Sequence, residues 1–277
     1  MGSVLEMLLW AWIILDSRVR SVLVPEITDG EFINECVREH NRARSSVSPP
    51  ASNMLYMSWD AGLAITAKAW ARHCVFKHNV YLEDVRRVHP TFSSVGENIW
   101  MGSQSLFNVT FAVKRWVDEK ANYNYQSRTC TDVCGHYTQV VWESSYKVGC
   151  AAQLCTEKNV LFVCNYAEGG NIRGQQPYKS QGTACSECKD TCVDNLCCNK
   201  KRDSQKRYSW TPDWDPAPVA SSQLSDSQLS DSQLSDSQLS DSHHFVTILV
   251  ARPIALIFTF ITAYAVHYCY PDIFCYE

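Results

Sequence analysis

The chain has 277 residues, 45% of them hydrophobic and 12% aromatic, so it can build a sizeable core. Its 25 basic and 29 acidic side chains leave a formal charge of −4, which argues against a general nucleic-acid binder. Fourteen cysteines are too many for a reduced cytosolic protein unless they bind metal, and so point to an oxidising compartment.

Residues 7–15 form an apolar block close to the N-terminus, the length of a signal-peptide core and too short to span a bilayer. The segment 1–21 therefore reads as a signal peptide, although Glu6 stands where a basic residue is usual. A folded unit follows. Thr28 and Glu31 are spaced as a capping box, and Phe32, Ile33, Cys36, Val37 and His40 recur at helical spacing. Asp60 caps a second predicted helix with Leu63, Ala64, Ala67, Trp70, Ala71 and Cys74 on one face. A third runs from about Val109 to Lys120, with Val109, Ala112, Val113 and Trp116 inward. Asn108-Val109-Thr110 is a glycosylation sequon, expected to be used in an extracytoplasmic chain. Runs from Tyr137 to Trp142, Lys147 to Leu154 and Val160 to Tyr166 read as strands, with His136 opening the first of them. Helices early and strands late predict an α+β layered domain.

A tight knot follows at Cys185, Cys188, Cys192, Cys197 and Cys198. Its spacing is irregular for a zinc site and its context oxidising, so disulfides are expected. Residues 210–219 read as an extended Pro-rich segment, and Ser-Gln-Leu-Ser-Asp repeats in tandem over 222–241. A period of five matches neither helix nor strand and one Leu per repeat cannot form a core, so 201–244 reads as linker and flexible stalk. Residues 245–266 carry a single charge, Arg252, among twelve Phe, Val, Ile and Leu. Those twelve favour insertion by about 4–7 kcal/mol, against about 3 kcal/mol opposed by Arg252. A transmembrane helix is expected there, with a short tail at 267–277 and the N-terminal domain outside the cell. A glycolipid anchor attached near Ser240 to Ser242 is the alternative.

Four residues stand out as a set that could converge: His78, Glu97, Glu119 and His136. Neutral imidazoles suit a divalent transition metal, and a carboxylate on the far ring nitrogen would fix each tautomer. Spacing alone does not bring them together.

Three segments, Cys134-Gly135-His136-Tyr137-Thr138-Gln139-Val140-Val141-Trp142, Gly96-Glu97-Asn98-Ile99 and Cys164-Asn165-Tyr166, resemble the signature motifs of the CAP superfamily. That superfamily groups cysteine-rich secretory proteins, antigen 5 and pathogenesis-related 1 proteins. The resemblance implies a CAP domain over 28–182, an α-β-α sandwich, with a disulfide-knotted hinge at 183–200. It implies that His78 and His136 bind a divalent ion, usually zinc, with Glu97 and Glu119 alongside in a central cavity. Glu119 is placed through Trp116-x-x-Glu119, and Glu168 stands where the family pattern has Pro, altering the expected loop shape. The resemblance further implies that Cys74 pairs with Cys155, Cys150 with Cys164, and Cys185 and Cys188 with Cys192 and Cys197. Cys130 and Cys134 suit a short bridged loop, which leaves Cys36 and Cys198 without obvious partners. Cys197 and Cys198 are adjacent and cannot easily bond to each other, so Cys198 is free or joins another chain.

Three functional classes follow: a membrane-tethered extracellular binding protein for a lipid, sterol or protein; a metal-dependent hydrolase with Glu97 or Glu119 as base; and a secreted, toxin-like channel modulator. A catalytic zinc normally has three protein ligands, whereas two His with outer carboxylates suit a weaker or regulatory ion. No cysteine stands between Cys198 and the C-terminal tail, where Cys269 and Cys275 lie, so the longer cysteine-rich lobe expected of the toxin-like members is not seen before the stalk. The binding module is the preferred expectation.

Overall fold

The computed structural model describes residues 24–155 and 158–216. The expected signal peptide, the SQLSD repeats, the spanning helix at 245–266 and the tail lie outside the described residues. Among the described residues no helix is long and apolar enough to cross a membrane. All of them fall in one unit, Leu23–Pro218.

Period-two alternation organises this unit. Helix α1 (Gly30–Ser45), β1 (Ser58–Trp59) and α2 (Ala61–Ala71) are followed by β2 (Gly96–Ser103), α3 (Val109–Asp118) and the hairpin of β3 (Tyr123–Asn124) and β4 (Thr129–Cys130). Then come α4 (Gly135–Val140), β5 (Lys147–Leu154) and β6 (Asn159–Ala167). The hinge ribbon of β7 (Thr191–Val193) and β8 (Leu196–Cys198) and the short α5 (Lys200–Asp203) close the order. The central sheet runs β1-β5-β6-β2; β1 is parallel to β5, and the other pairs are antiparallel. Along β6, Val160, Phe162, Cys164 and Tyr166 face a core shared with α1, α3 and α4, while Leu161 and Val163 face a second core with α2. Both sheet faces are thus covered by helices, and the sheet residues are apolar on both sides. Phe162 shows how the first core locks: it stacks on Trp116 at 5.4 Å and meets Phe32 edge-on at 6.3 Å. Gly149 lets α2 lie directly on β5, because a Cβ there would come within 2.1 Å of the Ala64 amide nitrogen.

Several sequence expectations need correction. Asp29, not Thr28, caps α1: its carboxylate accepts from Glu31 N and Phe32 N at 2.8 and 3.1 Å. The third helix ends at Asp118, and Glu119–Asn122 tightens into a 3-10 turn. The stretch from His136 to Trp142 is not a strand, because Gly135–Val140 is helical. Its β-branched and aromatic residues gave a strand signature, yet Tyr137, Thr138, Gln139 and Val140 are buried in succession, without the alternation a strand requires. Arg44, fully buried, stabilises the helix end by donating to the carbonyl oxygens of Val140 and Trp142 at 2.9 and 2.7 Å. His136 therefore shares a face with Val140 and not with Thr138.

Disulfides join Cys74 to Cys155, Cys130 to Cys134, Cys150 to Cys164, Cys185 to Cys192 and Cys188 to Cys197. Cys150 and Cys164 stand directly opposite each other on β5 and β6. Cys36, buried, and Cys198, half-buried, have no disulfide partner among the described residues. The hinge is docked on the domain by backbone bonds from Cys197 N to Met54 O and from Tyr56 N to Cys197 O, at 2.8 and 3.0 Å.

The first part of the linker is not extended away from the domain. Tyr208 donates to Asp60 at 2.8 Å, Trp214 donates through its indole to Arg87 O at 2.8 Å, and Arg72 pairs with Asp215 at 2.5 Å. Residues 208–215 form a strap across α2 and the loop that follows it.

Candidate metal centre

Glu97 lies near the start of β2, with its side chain fully enclosed. A buried carboxylate must be paired or hydrogen-bonded to remain charged. Here Oε1 accepts from His78 Nδ1 and from Asn79 N, each at 2.9 Å, and Oε2 accepts from Asn165 Nδ2 at 3.4 Å. Asn165 is Glu97's partner across the β2–β6 ladder, so the register delivers that third donor. Since a carboxylate can only accept, His78 carries its proton on Nδ1, and in the neutral ring Nε2 is left as a lone-pair donor. The hydrogen bond to Glu97 holds the His78 pKa above the usual imidazole range, against an opposing effect of partial burial.

The second pair is assembled from two helix ends. Because the chain tightens after Asp118, the Glu119 carboxylate turns onto the first turn of α4. Its Oε2 accepts from His136 N and Tyr137 N at 3.0 and 3.3 Å, taking two amides that have no partner within the helix. Its Oε1 accepts from His136 Nδ1 at 2.6 Å. The His136 ring lies parallel over Trp116, with centroids 6.2 Å apart and planes 10° apart, and Trp116 is itself fixed by donating to Ile99 O at 3.1 Å. Again Nδ1 is occupied and Nε2 is free.

Strand β2 ties the two pairs together. Glu97 holds His78, and the adjacent Asn98 donates through Nδ2 to His136 O at 3.0 Å. Glu97 and Asn98 are consecutive on β2 and so point to opposite faces of the strand. Asn98 also donates to the Tyr166 hydroxyl at 3.2 Å. That hydroxyl bonds His40 Nε2 at 2.8 Å, and His40 Nδ1 donates to Cys36 O at 2.7 Å. Burial lowers the His40 pKa to about 4, so the ring is neutral and accepts the tyrosine proton. His40, Asn98 and Tyr166 thus form a buried chain that positions α4. Asn98 and Tyr166 stand within the motif segments of the sequence, but their role was not legible there; His40 reads only as a core position of α1.

The set offers atoms of the kind that ligate a divalent cation. Two imidazole Nε2 atoms have no hydrogen-bond partner among the described residues, and the buried Asn165 Oδ1 beside Glu97 is an acceptor without a donor. No three residues of this set bring a ligand atom each within 4.8 Å of one another; the described residues that do, Cys185, Cys188 and Cys197, have their sulfurs in disulfides and offer no thiolate.

The segments that build the site fall within residues 37–166, which match the family model CAP, the cysteine-rich secretory protein family. GLIPR1-like protein 1 of Bos taurus is 50% identical over 198 residues, 70% of this chain and 80% of its own length. Glioma pathogenesis-related protein 1 of Mus musculus is 48% identical over 219 residues, 77% of this chain and 84% of its own. Among solved structures, a crystal structure of NaASP2 with Zn2+ is similar with a TM-score of 0.52 and 30% identity, covering 64% of this chain and all of that one. Half-identity sustained over four-fifths of a relative's length places the chain in a family its fold also fits: it belongs to the CAP family of cysteine-rich secretory proteins.

Proposed function

We propose that the protein is an extracellular binding module, tethered to the cell membrane through 245–266, whose ligand site is organised by a divalent cation on His78 and His136. The observation that carries this reading is the pair of His–Glu contacts, each occupying Nδ1 and leaving Nε2 free. Zinc is the ion expected. When bound, it would polarise an oxygen of the ligand, which is read as a lipid, a sterol or a partner protein.

Hydrolysis is the weaker reading, for two reasons. Two nitrogen ligands fall short of the three that hold a catalytic zinc. Glu97 and Glu119 also each accept from a ring and from backbone amides, so neither is free to act as a general base.

Calorimetric titration of the purified protein with Zn2+ tests the proposal. His78→Ala with His136→Ala is expected to abolish binding at a temperature where the variant is folded, with some loss of thermal stability because Glu97 and Glu119 each lose a donor; unaltered stoichiometry would overturn it. Glu97→Gln removes the group that orients His78, so affinity should fall by about 10–100-fold. In the same variant the His78 titration midpoint should drop toward the ordinary imidazole value. Protons compete for Nε2, so wild-type affinity should weaken as the pH falls through the raised His78 pKa. A peptidase and esterase screen of the zinc-loaded protein is expected to be blank. Chelator-sensitive turnover lost in Glu97→Gln would replace the binding reading with the hydrolytic one.

A further inference from the structure

Lys147 opens β5 and is 2% exposed. A buried ammonium is costly unless its three N–H groups and its charge are answered. Two of the three donate to Ser58 Oγ and Ser204 O, at 2.9 and 2.7 Å. Both acceptors are neutral, and none of the ion pairs among the described residues includes Lys147. The neighbouring acids are already engaged. Asp60 accepts from Leu63 N, His89 Nε2 and Tyr208. Asp203 accepts from Arg202 and Asn199 N.

Lys147 lines a cleft of about 540 Å³, within the range of small-molecule sites. Exposed Lys201 and Lys206, also without an ion-pair partner among the described residues, stand on its rim. Its apolar wall is made by Phe92 and Tyr146, two half-buried rings 6.0 Å apart and nearly perpendicular. Asp190, the exposed carboxylate at the edge, can accept from hydroxyl groups and would repel a bare dianion. Cations without a direct carboxylate contact, though Asp60 and Asp203 favour the Lys147 charge through space, an aromatic wall and one hydroxyl acceptor describe a ring that carries both acid and hydroxyl groups. The chain as a whole is acidic, so nothing here favours indiscriminate polyanion binding.

We propose that this cleft binds a sulfated saccharide, with the sulfate on Lys147, Lys201 and Lys206 and the sugar ring against Phe92 and Tyr146. The site is separate from the His–Glu pairs and stands whether or not they hold a cation.

The test is calorimetry on the full-length protein in detergent micelles, with a heparin-derived tetrasaccharide, an unsulfated tetrasaccharide, inorganic sulfate and inositol trisphosphate as probes. The sulfated tetrasaccharide should bind and the unsulfated one should not. Lys201→Ala with Lys206→Ala should weaken binding about tenfold or more, because two charge-assisted contacts are lost. Lys179→Ala with Lys189→Ala removes the same charge from the neighbouring groove, and should change affinity by less than about threefold once salt screens remote charges. Phe92→Ala should weaken the tetrasaccharide without affecting inorganic sulfate. The three variants leave the buried Lys147 in place, and the thermal midpoint of each, compared with the wild type, separates a loss of fold from a loss of ligand contact. Equal losses in the two double variants would overturn the proposal, as would tighter binding of inositol trisphosphate than of the sulfated sugar, or equal binding of the unsulfated one.

Discussion

His40 is wholly buried, and its two ring nitrogens are spoken for by Cys36 O and the Tyr166 hydroxyl. Its pKa is depressed from 6.5 to about 4, chiefly by burial. Between those values the unfolded chain holds the proton and the folded chain does not, so unfolding takes up a proton. The stability that His40 contributes is complete above the unfolded value and is lost as the pH falls toward about 4. Guanidinium midpoints should therefore decline from pH 7 to pH 4.5. His40→Gln keeps part of the hydrogen bonding but does not titrate; it should be less stable at pH 7 and show a flatter acid limb. Parallel acid limbs in the two proteins would refute the assignment. His78, Glu97, Glu119 and His136 are chemically conspicuous in the sequence as candidates. Their pairing is not. It depends on the β2–β6 register and on where α3 stops, and both are set by packing far from the four residues.

In helix α3 one side chain is both the N-cap and the acceptor of the sequon Asn108-Val109-Thr110. Asn108 is the N-cap, accepting from Phe111 N at 2.7 Å through Oδ1, and it is exposed. Its Nδ2 makes no hydrogen bond among the described residues, so a glycan on that nitrogen leaves the cap intact. Asn108→Asp should abolish the glycan and keep the cap, whereas Asn108→Ala should lose both. In unglycosylated protein the Ala variant should be about 1 kcal/mol less stable than the Asp variant. Equal stability would show that the cap contributes nothing, and an unchanged mass from secreting cells in both variants would show that the sequon is unused. The other elements differed in legibility for physical reasons. Helix α2 was plain because Asp60 caps it and small residues line its buried face. Strand β2 escaped notice because two of its buried positions are the polar Glu97 and Asn98, which erase the apolar alternation. Segment 135–140 was misread because its local propensity favours a strand, while Glu119 at one end and Arg44 at the other answer the free amides and carbonyls of a helix.

At the scale of the molecule, the packed domain reaches further along the chain than composition suggests. Residues 210–219 contain three prolines and read as linker, yet Trp214 is almost fully buried, stacked on Tyr81 at 4.9 Å and edge-on to Trp70 at 6.2 Å. Composition could not show this, because the partners of Trp214 lie over a hundred residues upstream. The strap also covers the buried His89–Asp60 pair, with Tyr208 completing the coordination of Asp60. Truncating a nearly buried tryptophan removes its apolar contacts and leaves a cavity that the surrounding rings fill only in part. Trp214→Ala should therefore destabilise the domain by about 3 kcal/mol, seen as a lower urea midpoint with little change in slope. Limited proteolysis gives an independent reading: in the wild type, cleavage should begin beyond Pro216, and in Trp214→Ala it should move into 208–215. If the variant is as stable as the wild type and is cut at the same positions, the strap is not part of the folded domain.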